Sequence, residues 1–159
     1  MLIVTLVWVQ NEGKTLLIQE AQPFCRGRWS MPGGRREPGE SIVDAAVREA
    51  REEAGVHVRL LGLAHVEERL HDASGLPDRL RFVFQGEIIG GALKQSADEH
   101  SLRAALFTLA EIDALDLRSP VVPRLLQRAD AQRPAVLPLD ALHVLTEQES
   151  VHEQRGRRI

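Results

Sequence analysis

Glu49, Glu52 and Glu53 stand at positions i, i+3 and i+4 in the stretch Arg48-Glu49-Ala50-Arg51-Glu52-Glu53-Ala54-Gly55. On a helix, turning about 100° per residue, they fall within about one third of the circumference and form one acidic patch. Arg48 and Glu52 alone would make an ordinary i, i+4 ion pair on a solvated face. Stability argues against the whole patch. Like charges four residues apart repel by a few tenths of a kcal/mol, and acids in the last turns oppose the helix dipole by about 0.3–1 kcal/mol each. A bound hard cation reverses both effects, and oxygen-only ligands favour magnesium or manganese over zinc. Magnesium keeps waters and takes phosphate oxygens, so a carboxylate patch beside an open loop points to phosphoryl chemistry.

The elements that must position this patch can be read around it. Ser41 is a helix cap, with Asp44 three residues on in a capping-box-like place, and the helix is predicted to run to Ala54. Gly55 is the residue expected just past its end, where the backbone turns left-handed. Val43, Val47, Ala50 and Ala54 fall on a neighbouring face, predicted to pack on a sheet and leave the glutamates to chemistry. Ahead of the helix, residues 22–40 hold three prolines and four glycines and read as a structured loop.

Leu2 to Val9 and Thr15 to Ala21 read as strands joined by a turn through Asn11, Glu12 and Gly13. Val56 to Glu68 and Leu80 to Ile89 read as two more, separated by a polar loop through His71–Asp78, with Gly90-Gly91 breaking the second. Leu102 to Leu109 reads as a short strand and Ala110 to Ala114 as a turn of helix. A second helix is predicted over Ser119–Ala129, with Ser119 as cap, Pro120 at its first position and Val121, Val122, Leu125 and Leu126 as its apolar face. Val136 to Leu145 carries enough apolar residues to pack back on the domain, while 146–159 is polar and expected to fray. Two helices are thus placed to cover opposite faces of a sheet.

With 159 residues, 43% hydrophobic and 27% charged, the chain suits one domain, taken as 1–145. A net charge of −3 argues against bulk capture of nucleic acid, so any polyanion it handles is expected to be small. Cys25 is the one cysteine, which offers neither an internal disulfide nor a cysteine-based zinc site and makes the cytoplasm the expected compartment. Leu2 to Val9 is too short and lacks the flanks of a membrane span, so no membrane partner is expected. Whether the protein is a monomer or a homodimer is open.

Gly34, five residues, Glu40, seven residues, then Arg48-Glu49-Ala50-Arg51-Glu52-Glu53-Ala54-Gly55-Val56 resembles the Nudix box, G-x5-E-x7-R-E-U-x-E-E-x-G-U. Every glycine, glutamate and arginine of the pattern is present, and the one departure is Ala50, where the family usually has a bulkier aliphatic residue. The resemblance implies an α/β class fold, a Nudix-type α/β/α sandwich with a mixed central sheet, that hydrolyses a diphosphate with a divalent metal. It implies Glu49, Glu52, Glu53 and the Gly33 carbonyl as metal ligands, with magnesium expected and manganese possible. Arg48 would orient the glutamates, and Gly34, Glu40 and Gly55 would be structural. Glycines at 33 and 34 let the backbone turn sharply and bring a carbonyl close to an ion. For the general base, Glu99 in the loop before the last strand is favoured, with Glu67 and Glu68 as weaker candidates.

Leu16 to Ala21, Cys25-Arg26-Gly27, Trp29, Val66-Glu67-Glu68-Arg69, Arg81-Phe82-Val83-Phe84 and Gly90-Gly91 further resemble the Nudix subgroup that hydrolyses 8-oxo-guanine nucleoside diphosphates to monophosphate and phosphate. A nucleotide sugar, ADP-ribose or an ordinary nucleotide is the alternative substrate, and a catalytically silent nucleotide sensor the alternative role. With aromatic residues at 4% and no tyrosine, Phe24, Trp29, Phe82 and Phe84 are the candidates to stack on a base. Arg26 and Arg28 are candidates for phosphate contacts, and Leu117 for the border of the base pocket.

Overall fold

A computed structural model describes residues 1–70, 77–131 and 136–142 of the chain. Strand β1 (Leu2–Asn11) turns back into β2 (Lys14–Glu20) through Glu12 and Gly13, both at positive φ as a tight hairpin turn requires. Next come β3 (Trp29–Ser30), α1 (Ile42–Ala54), β4 (Val56–Arg69), β5 (Arg79–Gly91), β6 (Ser101–Phe107), α2 (Leu109–Ile112) and α3 (Val121–Ala131). β1 lies parallel to β5 from Leu2 opposite Arg79 to Val9 opposite Gly86, while β4 is antiparallel to β5. β2 is antiparallel to β1, β3 and β6, giving one mixed sheet in the order β3-β2-β1-β5-β4 with β6 also on β2.

Alternation along β1 divides the core in two. Val7 and Val9 point to α1 and pack with Leu16, Ile18, Ala46, Ala50, Ala54 and Phe84. Leu6 and Trp8 point the other way, to Met31, Val83, Ile112 and the Val121, Val122, Leu125, Leu126 face of α3. Full burial of a side chain of this size is worth about 1.5–3 kcal/mol, so each helix layer is held chiefly by its own face of the sheet. This is the expected α/β/α sandwich.

The caps fall where the sequence puts them. Asp44 N donates to Ser41 Oγ at 3.0 Å, and Gly55 ends α1 at φ 76°. Val121 N donates to Ser119 Oγ at 3.3 Å at the start of α3. Three expectations need correcting. Loop 22–40 contains β3, whose two residues are too few to show a period. Gly90-Gly91 does not break β5: Gly91 pairs with Val56, and a Cβ there would meet the Gly55 carbonyl at 2.5 Å. On α1, Val47 is exposed, and Glu49 and Glu53 are buried together with Ala46, Ala50 and Ala54. Burial and chemistry therefore share one side of the helix, because the glycine loop packs over the carboxylates.

After α3, Leu137 exchanges both backbone hydrogen bonds with Leu63 at 2.8 and 2.9 Å, and Leu139 and Leu142 pack on the α1 side of the core. Residues 71–76 of the polar loop, 143–145 and the 146–159 tail lie outside the described residues.

Candidate active site

The loop ahead of α1 runs along β1: Val7 N donates to Pro32 O and Thr5 N to Gly34 O, each at 2.9 Å. Among the described residues the Gly33 carbonyl between them accepts no backbone hydrogen bond. Gly33 N donates to Glu53 Oε2 at 2.8 Å. No side chain fits at either glycine: a Cβ on Gly33 would meet the Thr5 carbonyl at 2.1 Å, and one on Gly34 the Glu49 carboxylate at 2.3 Å.

Burial in this clasp pushes the Glu53 carboxyl up to about 9, against the Gly33 N–H, with the negative charges of Glu49 and Glu20 adding to the rise. Glu49 is also raised, chiefly by burial, with Arg48 opposing. Arg48 reaches Glu40 at 2.8 Å, Glu49 and Glu52 at 3.0 Å each and the Arg35 carbonyl at 3.1 Å. Its guanidinium is held above its ordinary pKa, first by the hydrogen bonds to Glu40, and Glu40 is lowered first by the same bonds. The far end of α1 is served by Lys94, whose Nζ donates to the Glu52 carbonyl at 2.8 Å, and by Ser101, whose Oγ donates to the Glu53 carbonyl at 2.5 Å. A cation on the last carbonyls offsets the dipole cost noted from the sequence.

Among the described residues, no three His, Cys, Asp or Glu side chains converge on one point suited to an ion. The donor set nonetheless suits a hard cation. It is all carboxylate oxygen, Gly34 leaves the Glu49 carboxylate room that a Cβ would take, and a cationic nitrogen of Arg48 already bridges Glu49 and Glu52.

A cavity of about 430 Å³ opens beside this clasp. Gly33 and Gly34 line its near end; Leu2, Val4 and Leu6 of β1 line it further along, with Phe24 and Ser30. The remaining wall is Arg35, Arg69, Arg79, Arg81 and Arg118, with Pro77, Ser119 and Pro120. Arg118 is held by Glu20 at 2.6 Å and lies 5.3 Å from the centre of the Phe24 ring.

The sequence-predicted residues divide clearly. Glu40, Arg48, Glu49, Glu52, Glu53, Gly33 and Gly34 meet in one place. Trp29 lies outside the cavity lining, 5% exposed and edge-on to Phe107 at 4.6 Å. Phe84 is fully buried and Phe82 partly so, both on the α1 side of the sheet, away from the cavity. Arg26 bonds the Ala21 carbonyl, Arg28 pairs with Asp116, and Leu117 packs beneath α3. The Glu99 carboxylate is 87% exposed, 3.6 Å from His100. Glu67 pairs with Arg81 at 3.0 Å. Sequence reasoning missed the arginine wall, although Arg79 and Arg81, two apart on a strand, must share a face.

Fold and site define an α/β/α domain that sets the carboxylates of a helix against an arginine-lined cavity. The chain belongs to the Nudix family: the NUDIX domain model matches residues 2–128. It is 41% identical over 143 residues to the 8-oxo-dGDP phosphatase of Homo sapiens, covering 86% of this chain and 42% of that protein. It is 31% identical over 113 residues to the ADP-ribose pyrophosphatase of Methanocaldococcus jannaschii, covering 67% of this chain and 62% of that one. The solved structure of a NUDIX hydrolase from Nitrosomonas europaea superposes with a TM-score of 0.78 at 28% identity, over 90% of this chain and 96% of that chain. The chain spans less than half the length of the human relative. Members of the family generally use a divalent metal.

Proposed function

We propose that this chain hydrolyses the phosphoanhydride of a nucleoside diphosphate bearing an oxidised guanine, giving monophosphate and phosphate. The observation that carries the reading is continuity: one cavity runs from the glycines clasping the Glu49 and Glu53 carboxylates to an arginine wall. It has room for a nucleoside, and the similarity to the human 8-oxo-dGDP phosphatase supports the choice of base.

Glu49, Glu52, Glu53 and the Gly33 carbonyl would hold the cation, magnesium with manganese as substitute. The cation supplies charge neutralisation at the phosphoanhydride oxygens and eases deprotonation of water. Arg48 orients Glu49 and Glu52, Arg118 meets the phosphates, and Glu99, in the loop it shares with His100, accepts the proton of the attacking water. We place the activity in the cytoplasm.

Release of inorganic phosphate from 8-oxo-dGDP and dGDP, and of nucleoside monophosphate from these two, ADP-ribose and a nucleotide sugar, tests the reading. The expected result is kcat/KM at least about tenfold higher for 8-oxo-dGDP than for dGDP, with all turnover lost in chelator. Equal values for the two diphosphates overturn the base assignment, and a dominant ADP-ribose activity overturns the substrate class.

Gly34→Ala tests the clasp. The methyl group has to displace the Glu49 carboxylate, and a misplacement of about 1 Å at a reacting centre costs about a hundredfold. A hundredfold lower kcat is expected in a protein whose circular dichroism is unchanged; full activity would show that Glu49 does not need its place.

A further inference from the structure

Glu99 belongs to no helix or strand: it stands in the link 92–100 between β5 and β6, its carboxylate 87% exposed. A group that takes a proton has to be held within hydrogen-bond reach of the water that gives it up. Something other than regular structure must therefore set this link.

Three side chains around Glu99 do so. Lys94 and Asp98 pair at 2.5 Å, with the Lys94 side chain 11% exposed. Asp98 Oδ1 also accepts from His100 N at 2.8 Å and Ser101 N at 3.1 Å, the turn an aspartate makes with the backbone ahead of it, and Asp98 N donates to Ser101 O at 3.0 Å. Glu99 and His100 sit inside this closed turn. Against the burial that raises it, the Lys94 ammonium and the two N–H groups bring the Asp98 carboxyl down to about 2, so Asp98 is charged at neutral pH.

The closed turn is tied to the helix that carries the carboxylates. Lys94 Nζ donates to Glu52 O at 2.8 Å, Ser101 Oγ to Glu53 O at 2.5 Å and Lys94 N to Ala54 O at 3.0 Å. Successive carbonyls at the end of α1, which water or a cap could serve, are thus bonded to one short segment. Glu52 and Glu53 offer their side chains to the ion site and their backbone to the link. On the Glu49 carboxyl, which burial raises and Arg48 lowers, His100 acts in the same sense as Arg48, so the turn lies within electrostatic reach of the carboxylates.

We infer that Lys94 and Asp98 are positioning residues: with Ser101 they lock the Glu99–His100 turn to the last carbonyls of α1, so that the proton acceptor and the carboxylates share one frame. This rests on the place given to Glu99 in the function proposed above, and not on its choice of nucleobase.

The test is a double-mutant cycle on kcat in the wild type, Asp98→Asn, Glu99→Gln and the double variant, run with whichever member of the substrate panel turns over fastest. Asparagine keeps an oxygen for the two N–H groups and loses the charge that holds Lys94. Asp98→Asn is expected to lower kcat about tenfold or more with KM within about twofold, as a misplaced reacting group does. Added to Glu99→Gln, it should lower kcat by no more than about threefold further, because residues that act through one group do not add. Lys94→Met keeps the length of the stem and loses the ammonium; the same two results are expected of it, and it decides if Asp98→Asn does not fold. A loss that is the same with and without the Glu99 carboxylate would show a merely structural clamp and overturn the inference. So would a kcat within about twofold of the wild type in both single variants. Undiminished kcat in Glu99→Gln would overturn the proton acceptor and this inference together, leaving the substrate reading to the panel.

Discussion

Replacing Glu53 with glutamine is expected to lower kcat by about a thousandfold while leaving the metal-free protein as stable as the wild type or more so. The two outcomes share one cause. Glu53 is 9% exposed, and its carboxyl is pushed up from 4.5 to about 9, first by burial. A carboxyl raised in the folded state stabilises the fold fully below about pH 4.5, and that stabilisation is lost as the pH rises towards 9. The wild type without metal therefore loses stability from acid to mildly alkaline pH, through this group, and a glutamine removes that slope. At pH 8 the metal-free Glu53→Gln protein is expected to melt at least about 3 °C above the wild type, and at pH 4 close to it. The same substitution removes an anionic oxygen from the proposed ion site, so the rise in Tm on adding magnesium should shrink. Calorimetry at the two pH values, with and without magnesium, checks the stability claims, and phosphate release checks the rate. Undiminished turnover would remove Glu53 from the site; a Tm difference that does not change with pH would show that its carboxylate is already relieved.

The carboxylate half of this site was legible in the sequence because its spacing has only one structural meaning. Acids at i, i+3 and i+4 share a helix side whatever the helix packs on, and Ser41 and Gly55 bound that helix by local chemistry. What packs over that side is a long-range matter. The burial of Glu49 and Glu53 depends on a loop about twenty residues upstream lying along β1, which no local pattern specifies. Val47 and Ala46 exchanged places for the same reason, since helical periodicity locates an apolar stripe only to within about a residue's rotation.

The cavity half was misread for a different reason. The β5 sequence Arg79-Leu80-Arg81-Phe82-Val83-Phe84 offers two alternating sets, and aromatic residues seemed the natural partners of a base. Phe82 and Phe84 lie on the α1 side and fill the core. The arginines lie on the other side because α3 begins close enough for Arg81 Nη1 to meet Ser119 Oγ at 3.4 Å, leaving a cavity between sheet and helix. Two buried-face cations on adjacent rows of a strand cost stability without a ligand, the same kind of local conflict that marked the glutamates.

Arg48 connects the parts of the carboxylate half, and its removal is expected to have the largest effect on stability. One guanidinium satisfies Glu40, Glu49, Glu52 and the Arg35 carbonyl, and its side chain is 20% exposed. Arg48→Ala leaves three acids facing one another and the loop untied from the helix. Taking one partner from a largely buried ion pair costs about 3 kcal/mol, which lowers Tm by about 6–12 °C in a domain of this size. Because the loop carries Gly33 and Gly34, kcat should fall about a hundredfold as well. Arg48→Lys should recover only part of both, since a single ammonium cannot span the set. Magnesium distinguishes this account from a simple loss of packing. With the guanidinium gone, Glu49 and Glu52 lose the cation that bridges them, so a divalent ion should raise the Tm of Arg48→Ala more than that of the wild type. Thermal melts of the two proteins across a magnesium titration make the comparison, and an equal or smaller rise in the variant would show that Arg48 and the ion do not answer to the same carboxylates.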